Sequence, residues 1–318
     1  MNSVRCIQVL AHDGQFSLRA FDRRLKPLRR HDIRLRLLSL APRIDEIVAS
    51  SQGRSCPHPR WGSPVLGEVV DMGSAAGSFH IGQTVMAVTT DRQIPQILPE
   101  YLSVPQAHVV PTTDMPDDAL GYSVLTDALM SFSSLRDAGQ VKVGQRVLIL
   151  AATSAPGFIG VQVARSMGAC PIVMTDVDHA QALRSAGASE AWEVKLSALM
   201  TRLQDIHVVY DPLGQRTLTD IEPCLAPSGR YISPVPGIRR AFDQVWSQAT
   251  ARLVNGIHVS RLVERRVEPR DLSLVGHYLI DGKLSPNVVD SLSLRDLFKH
   301  QVNAWERHPH GRINLVLG

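Results

Sequence analysis

The sequence predicts an α/β fold that combines a doubly wound parallel sheet with a second, irregular β-rich domain. Three observations carry this prediction. The length of 318 residues exceeds one small core and suggests two domains. The first third of the chain carries short β-type segments and turns, whereas strand and helix patterns alternate from about residue 140.

The β-rich part begins with segments typical of short strands. HDIRLRLLSL (31–40) alternates apolar and polar residues, SPVLGEVVDMG (63–73) is short and β-branched, and HIGQTVMAV (80–88) follows a turn. At the other end, the pattern weakens from about residue 262, and GRINLVLG (311–318) predicts an isolated strand with no following helix. That last strand must therefore pair with a strand elsewhere in the chain.

The middle of the chain repeats a strand-then-helix unit. A helix is predicted over GFIGVQVARSMG (157–168), because Ile159, Val163 and Met167 fall on one face. Another helix, HAQALRSAG, ends at Gly187. Repeated βα units of this kind indicate a parallel sheet. Its predicted strands are VLILAA (147–152), PIVMT (171–175), HVVYD (207–211) and GRYISPV (229–235).

Composition and charge exclude several classes of protein. The four cysteines lie far apart without a C-x-x-C pair, and no apolar run approaches the roughly 18 residues that span a bilayer. The start of the chain lacks the apolar core of a signal peptide, so we expect a cytoplasmic protein without a membrane segment. No nucleic-acid motif accompanies the net charge of +4, so we expect no nucleic-acid partner.

One basic stretch stands out, DRRLKPLRRHDIRLR (22–36). Acids and apolar residues interrupt it, and it continues into an alternating strand-like segment. It is interpreted either as a solvated edge or as a docking patch for a nucleotide-bearing or carrier-borne substrate.

The sequence places a dinucleotide site at the turn after the first parallel strand. In a doubly wound sheet, ligands bind outside the carboxyl ends of the strands, and a helix N-terminus there can hold a pyrophosphate. The turn contains Gly157, but it has a serine where a first glycine is expected and a proline that removes one N–H donor. A plain structural turn is the alternative. The candidate residues are Thr153, Ser154, Ala155, Pro156 and Gly157.

The ends of the other strands contribute further candidates. Asp176 can accept hydrogen bonds from an adenosine ribose and would repel a 2′-phosphate, which favours NAD(H) over NADP(H). Its alternative role is to cap the following helix. Leu213 and Gly214 follow the third strand, and Ser233 and Pro234 end the fourth strand at the same edge.

The order of these segments resembles the medium-chain dehydrogenase/reductase superfamily, especially its quinone oxidoreductase and alkenal or prostaglandin reductase branches. VKVGQRVLILAATSAPGFIGVQVARSMGA and HVVYDPLGQRTLTDIEPCLAPSGRYIS are similar to its Rossmann cofactor domain. GEVVDMGSAAGSFHIGQTVMAV, EYLSVPQAHVVPTTDMPDDAL and GRINLVLG are similar to its GroES-like substrate domain. The resemblance covers nearly the whole chain. It implies a substrate domain at 1–120 and 262–318, a dinucleotide domain at 121–261, and a homodimer.

The resemblance also implies a cofactor and excludes a metal. LSLAPRID (38–45) and WGSPVLG (61–67) stand where zinc-dependent relatives carry metal ligands, so we expect no catalytic zinc. Branches that use NADP(H) carry a basic residue after the second strand and a later Tyr. This sequence keeps Lys195 but lacks that Tyr, so either NAD(H) or NADP(H) is expected, with NAD(H) favoured.

Candidate catalytic residues follow from the same resemblance. Tyr122 and Thr126 lie at the predicted domain junction, and Thr126 matches a threonine near the nicotinamide. Arg43 lies in a segment that departs from the family pattern and is interpreted as holding a carbonyl or carboxylate. The alternative for Tyr122 is packing at a hinge, and the alternative for Thr126 is capping of a helix. Arg43 is alternatively an ordinary surface arginine. Asp127 is interpreted as a base or as a solvated helix residue.

The leading functional hypothesis is a zinc-independent, nicotinamide-dependent oxidoreductase. It would transfer hydride to an activated C=C bond of a small or carrier-bound carbonyl compound, as an enoyl reductase does. One alternative is reduction of a C=O or C=N bond by the same fold. The other is a non-redox relative that has lost or repurposed the cofactor site.

Overall fold

The structure is a computed structural model, and the chain folds into two compact units. Among the described residues, unit 1 holds those up to Thr126 and those from 267 onward, and unit 2 holds those from Asp127 to 259. The first division follows Thr126, inside a helix, whereas the sequence predicts a boundary near 121. The described residues are 3–12, 15–43, 62–89, 97–112, 118–192, 202–235, 258–259, 267–286, 288–293, 296 and 312–317.

Sixteen strands and six α-helices lie within these ranges. The strands are β1 (Ser3–His12), β2 (Gln15–Arg24), β3 (Asp32–Leu40), β4 (Ser63–Met72), β5 (Thr84–Thr89), β6 (Ile97–Pro99), β7 (Tyr101–Pro105), β8 (Val109–Pro111), β9 (Arg146–Ile149), β10 (Cys170–Met174), β11 (Glu190–Trp192), β12 (Ile206–Tyr210), β13 (Leu225–Ile232), β14 (His258–Val259), β15 (Val288–Ser293) and β16 (Arg312–Val316). The helices are α1 (Asp118–Gly121), α2 (Leu125–Phe132), α3 (Ala155–Ser166), α4 (Val177–Ser185), α5 (Leu218–Ile221) and α6 (Pro269–Ile280).

Unit 1 is rich in β-structure, as predicted. Its larger sheet has the strand order β15-β16-β3-β4-β5-β8, and β7 also pairs with β3. The alternation in β3 turns Ile33, Leu35 and Leu37 into the core, because successive side chains of a strand point to opposite faces. The predicted last strand is confirmed as β16, which pairs antiparallel with β3 and parallel with β15. The smaller sheet has the order β2-β1-β6.

Unit 2 confirms the predicted doubly wound sheet. Its strand order is β11-β10-β9-β12-β13-β14, and all neighbouring pairs are parallel. The strands bury apolar side chains such as Leu148, Ile172 and Val209, and α3 and α4 connect β9, β10 and β11 in turn. Because the strands are parallel, their carboxyl ends share one edge, where the predicted ligand residues lie.

The first strand and helix of unit 2 have different ends from those predicted. The strand expected at 147–152 ends at Ile149, because the chain then turns: Ala151 has a positive φ of 47° and accepts a hydrogen bond from the Ser154 N–H at 2.9 Å. The helix expected from Gly157 begins at Ala155, because Ser154 already caps it. The predicted turn residues therefore occupy the end of the turn and the first turn of α3.

Candidate functional site

Ser154 organises the turn between β9 and α3. Its backbone is extended, and its Oγ accepts a hydrogen bond from the Gly157 N–H at 3.1 Å. Pro156 has no N–H, so Ala155 is the residue among the first three of the helix that leaves its N–H for a ligand. The turn therefore offers a pyrophosphate fewer amide donors than a glycine-rich turn would.

Two glycines allow the close approach of backbone and side chains around this turn. A Cβ atom on Gly157 would lie 2.1 Å from the Ala151 carbonyl oxygen, and one on Gly160 would lie 2.7 Å from the Tyr210 ring. Gly157 thus lets the first turn of α3 pack on the preceding turn, and Gly160 lets α3 pack on β12. These are the tasks that glycines perform in dinucleotide-binding turns.

Asp176 caps α4 at the end of β10. Its Oδ1 accepts a hydrogen bond from the His179 N–H at 3.1 Å and lies 2.6 Å from His179 Nδ1. The hydrogen bond with the His179 side chain lowers the pKa of Asp176 and keeps the carboxylate charged. Both contacts use Oδ1, and the side chain is 64% exposed. The capping interpretation is therefore confirmed, and the ribose-binding role stays a prediction.

The neighbouring strand ends bring the remaining candidates to the same edge. Thr175 precedes Asp176, and its buried Oγ1 has no hydrogen-bond partner among the described residues. Gly214 adopts a positive φ of 62° after β12, while Leu213 and Ser233 are buried at the ends of β12 and β13. The other candidates here are Thr153 before Ser154 and Pro234 after Ser233. Lys195 lies outside the described residues.

The carboxyl edge fits a dinucleotide through three features. The Gly157 turn packs closely, the Thr175 hydroxyl lacks a partner within the described residues, and the Asp176 carboxylate is exposed. A buried hydroxyl without a partner is costly, and a ligand hydroxyl or phosphate oxygen would satisfy it. The pyrophosphate fits less well, because Ser154 occupies one backbone N–H of the turn and Pro156 has none.

Sequence reasoning missed Asp211, a fully buried carboxylate directly after β12. Its Oδ2 accepts the Arg216 N–H at 2.9 Å and lies 2.9 Å from the Tyr231 hydroxyl. Its carbonyl oxygen also accepts the Gly214 N–H at 3.2 Å. Asp211 therefore fixes the turn that carries Leu213 and Gly214. The signal in the sequence was an acidic residue ending the apolar strand HVVYD.

In unit 1 the structure brings Thr126 and Arg43 to the same residue, Arg312. Arg312 is 4% exposed; its Nη2 donates to Thr126 Oγ1 at 2.8 Å, and its Nη1 donates to the Ala41 carbonyl oxygen. Arg43 forms an antiparallel bridge with Arg312 and is 7% exposed, so its interpretation as a surface arginine was wrong. Thr126 uses its hydroxyl oxygen to hold this buried guanidinium.

Tyr122 lies fully buried in unit 1. Its hydroxyl donates to Asn314 Oδ1 at 2.7 Å, and Asn314 Nδ2 donates to Ser291 Oγ at 2.8 Å. Burial raises the pKa of Tyr122 well above its usual value, while a hydrogen bond with Ser39 and the charge of Arg312 act in the opposite direction. A phenol with a raised pKa is a weaker acid. The geometry therefore favours packing over proton donation for Tyr122.

Asp127 begins the part of α2 that belongs to unit 2. It is 2% exposed, so its interpretation as a solvated helix residue was wrong. A buried carboxylate is costly unless it is paired or hydrogen-bonded, and Asp127 does have interaction partners.

Two kinds of feature are absent from the described residues. They contain no group of three or more His, Cys, Asp or Glu side chains arranged to hold a metal ion. None of their helices combines the length and the apolar character needed to cross a membrane.

The chain is similar to quinone oxidoreductases in sequence and in fold. No family model matches it. It is 27% identical over 167 residues to a probable quinone oxidoreductase from Leishmania amazonensis, a match that covers 50% of this chain and 47% of that protein. The chain thus spans about half the length of the curated relatives it matches.

Solved structures share the fold over almost the whole chain. The quinone oxidoreductase from Coxiella burnetii superposes with a TM-score of 0.74, 17% identity and coverage of 99% of this chain and 100% of that one. The quinone oxidoreductase from Escherichia coli, complexed with NADPH, superposes with a TM-score of 0.71 and 17% identity. That match covers 99% of this chain and 100% of the other. These likenesses show that the chain has the fold of the quinone oxidoreductases, and its sequence match over half of the chain is to a protein of the same description.

Proposed function

We propose that the chain is a zinc-independent, NAD(P)H-dependent reductase that acts on an activated C=C bond of a small or carrier-bound carbonyl compound. The observation that carries this proposal is the carboxyl edge of the parallel sheet, where the Gly157 turn and Asp176 follow neighbouring strands. Bound NAD(P)H would supply the hydride. The E. coli quinone oxidoreductase, which shares the fold, was solved as a complex with NADPH, and this supports the cofactor class.

The residues of unit 2 then divide the binding between them. The Ala155 N–H and the Thr175 hydroxyl are the donors for phosphate and hydroxyl oxygens of the cofactor. Asp176 keeps Oδ2 for the hydroxyls of the adenosine ribose, and its charge disfavours a 2′-phosphate. This arrangement favours NADH over NADPH. Gly214, Ser233 and Pro234 form the adjacent rim of the site.

Thr126 is the best candidate for contact with the substrate. Because its Oγ1 accepts from Arg312, its hydroxyl proton is directed elsewhere and can be donated to the oxygen on which enolate charge develops. The guanidinium polarises that O–H bond. Arg312 is thus a positioning residue for Thr126. Tyr122 supports the same strand, β16, through Asn314.

The test is binding followed by turnover. The purified chain is titrated with NADH and with NADPH by calorimetry, and oxidation of the bound cofactor is then followed by absorbance. The substrate panel pairs 1,4-benzoquinone and but-3-en-2-one with a saturated ketone and an imine. Turnover of 1,4-benzoquinone shows hydride transfer, and turnover of but-3-en-2-one without the saturated ketone or the imine supports C=C reduction, whereas turnover of the last two moves the assignment to C=O or C=N reduction.

A non-redox binding protein is the second candidate, because Ser154 and Pro156 together remove two amide donors from the turn. Failure of the protein to bind either dinucleotide would overturn the reductase and favour that candidate. The homodimer and the cytoplasmic location stay predictions.

Replacing Asp176 by asparagine is expected to shift cofactor preference towards NADPH. Asparagine is also a good N-cap, so the His179 N–H keeps its acceptor while the negative charge disappears. Removing the repulsion of a 2′-phosphate should raise the ratio of NADPH to NADH affinity by about 10-fold. The matched control is D178N, which removes an exposed charge two residues away. An unchanged ratio in D176N would remove Asp176 from the cofactor site.

Replacing Pro156 by alanine is expected to tighten dinucleotide binding. The change restores an N–H in the first turn of α3, and a hydrogen bond to a charged phosphate corresponds to about a 10-fold change in Kd. The control is P269A, which restores an N–H in the first turn of another helix, α6, where Pro269 is the first residue. Calorimetric Kd values for NADH provide the comparison. Equal affinities in P156A and the wild type would show that this turn does not contact the pyrophosphate.

A further inference from the structure

Unit 1 contains a pocket that the proposed reductase site does not use. It has a volume of about 310 Å³ and lies between the β2–β3 connection and strand β7. The residues that give it its character are Arg23, Arg24, Lys26, Arg29, Asp32 and Tyr101. Four basic residues and one acidic residue therefore line a cavity large enough for a small molecule.

Three of these basic side chains make no ion pair with any residue that the structure describes. The nearby arginines Arg34 and Arg36 pair with Asp71 and Glu68. Arg24, Lys26 and Arg29, in contrast, are exposed and make no ion pair within the described part of the chain. Like charges held close together repel each other unless an anion lies between them. We propose that this pocket binds the phosphate group of a small organic phosphate.

The loop that carries these side chains is held in place by its backbone. The Arg34 side chain donates to the Lys26 carbonyl oxygen at 2.8 Å, and the Ala75 N–H donates to the Arg30 carbonyl oxygen at 2.8 Å. Gly73 permits this approach, because a Cβ atom there would lie 2.1 Å from the Arg29 carbonyl oxygen. The backbone that carries these charges is therefore fixed, which reduces the part of the entropic cost of binding that would come from ordering the loop.

The number of charges and the concave shape select the ligand class. An excess of positive charge suits a dianionic phosphate ester or a diphosphate better than a single carboxylate. Arginine forks match phosphate oxygens in bidentate fashion, and Lys26 adds a point charge. A pocket of this size encloses a small ligand, whereas an acidic protein would need a broad surface. Tyr101 adds an aromatic ring and a hydroxyl to the wall.

The test uses inorganic phosphate and pyrophosphate as probes of the full chain. Binding is followed by amide chemical shifts in two-dimensional NMR, and the amides of Tyr101 to Val104 report on the pocket wall. Saturable shifts are expected there, with pyrophosphate binding more tightly than phosphate. Because the signals are local, this result is independent of whether a dinucleotide binds to unit 2. Saturation without shifts at Tyr101 to Val104 would overturn the proposal.

The variant R24Q/K26Q/R29Q should weaken pyrophosphate binding at these amides by at least about 10-fold. The matched control, K142Q/R202Q/R270Q, removes the same number of exposed charges elsewhere. It should change the affinity for pyrophosphate by less than about 2-fold. Equal weakening by both triple variants would mean that net charge alone is responsible, and this overturns the pocket. If the triple variant folds poorly, the single variant K26E, at an exposed loop position, replaces it. K26E should also weaken pyrophosphate binding.

Discussion

Replacing Gly157 by alanine is expected to lower the melting temperature by about 6–12 °C and to abolish dinucleotide binding. The new Cβ would lie 2.1 Å from the Ala151 carbonyl oxygen and 2.9 Å from the Ala152 Cα atom. Both neighbours are backbone atoms, so no side-chain rotation can relieve the overlap. Forcing the turn and α3 apart should cost about 3 kcal/mol, and each kcal/mol lowers the melting temperature by about 2–4 °C in a protein of this size.

Circular dichroism melts and calorimetric titration with NADH measure the two effects. The control is Gly77→Ala, because a Cβ atom on Gly77 would meet no atom within 4 Å. G77A should melt within about 2 °C of the wild type. A G157A protein as stable as G77A would show that the turn adapts without cost. A destabilised G157A that still binds NADH with wild-type affinity would separate the turn from the cofactor site.

The fold was predictable because its signals are local. The alternation of β3 and the strand–helix rhythm after residue 140 repeat with the periods of the elements themselves, and burial of Ile33 and Ile159 follows those periods. Gly187, with its positive φ of 109°, ended its helix as expected. The element ends were less predictable. Ser154 was treated as a missing glycine, although a serine two residues before a proline is also the signature of a helix cap.

The side-chain environment of the candidate residues was not predictable from spacing. Arg312 is 186 residues from Thr126 in the sequence, and Asn314 is 192 residues from Tyr122, so only the folded sheet brings these pairs together. A weak signal was nevertheless present. Arg312 and Asn314 alternate with Ile313 and Leu315 in a short strand, and polar residues at alternate positions share one face. All four are buried, so that face must satisfy its polar groups within unit 1.

Arg312 should therefore be the most sensitive position of unit 1. In R312M, the Ala41 carbonyl oxygen and Thr126 Oγ1 both lose a buried donor, and we expect a loss of about 3 kcal/mol in the free energy of unfolding. R312K keeps the charge, but an ammonium group lacks the two-armed guanidinium that reaches both acceptors. We therefore expect a loss of free energy of unfolding between those of the wild type and R312M. Denaturant unfolding of the three proteins measures this order, and equal stability of R312M and the wild type would contradict it.

A double-mutant cycle with T126V separates positioning from packing. If Arg312 acts through Thr126, the pair should show a coupling energy of about 1 kcal/mol, because T126V has already removed the acceptor that R312M leaves without a donor. In turnover, R312K and T126V should lower kcat with little change in the KM of the substrate, since a donor to the developing enolate acts in the transition state. Additive losses of stability together with unchanged kcat would reduce Arg312 to a structural residue. Such a result would also remove Thr126 from the chemistry, because the guanidinium is the group that orients its hydroxyl proton.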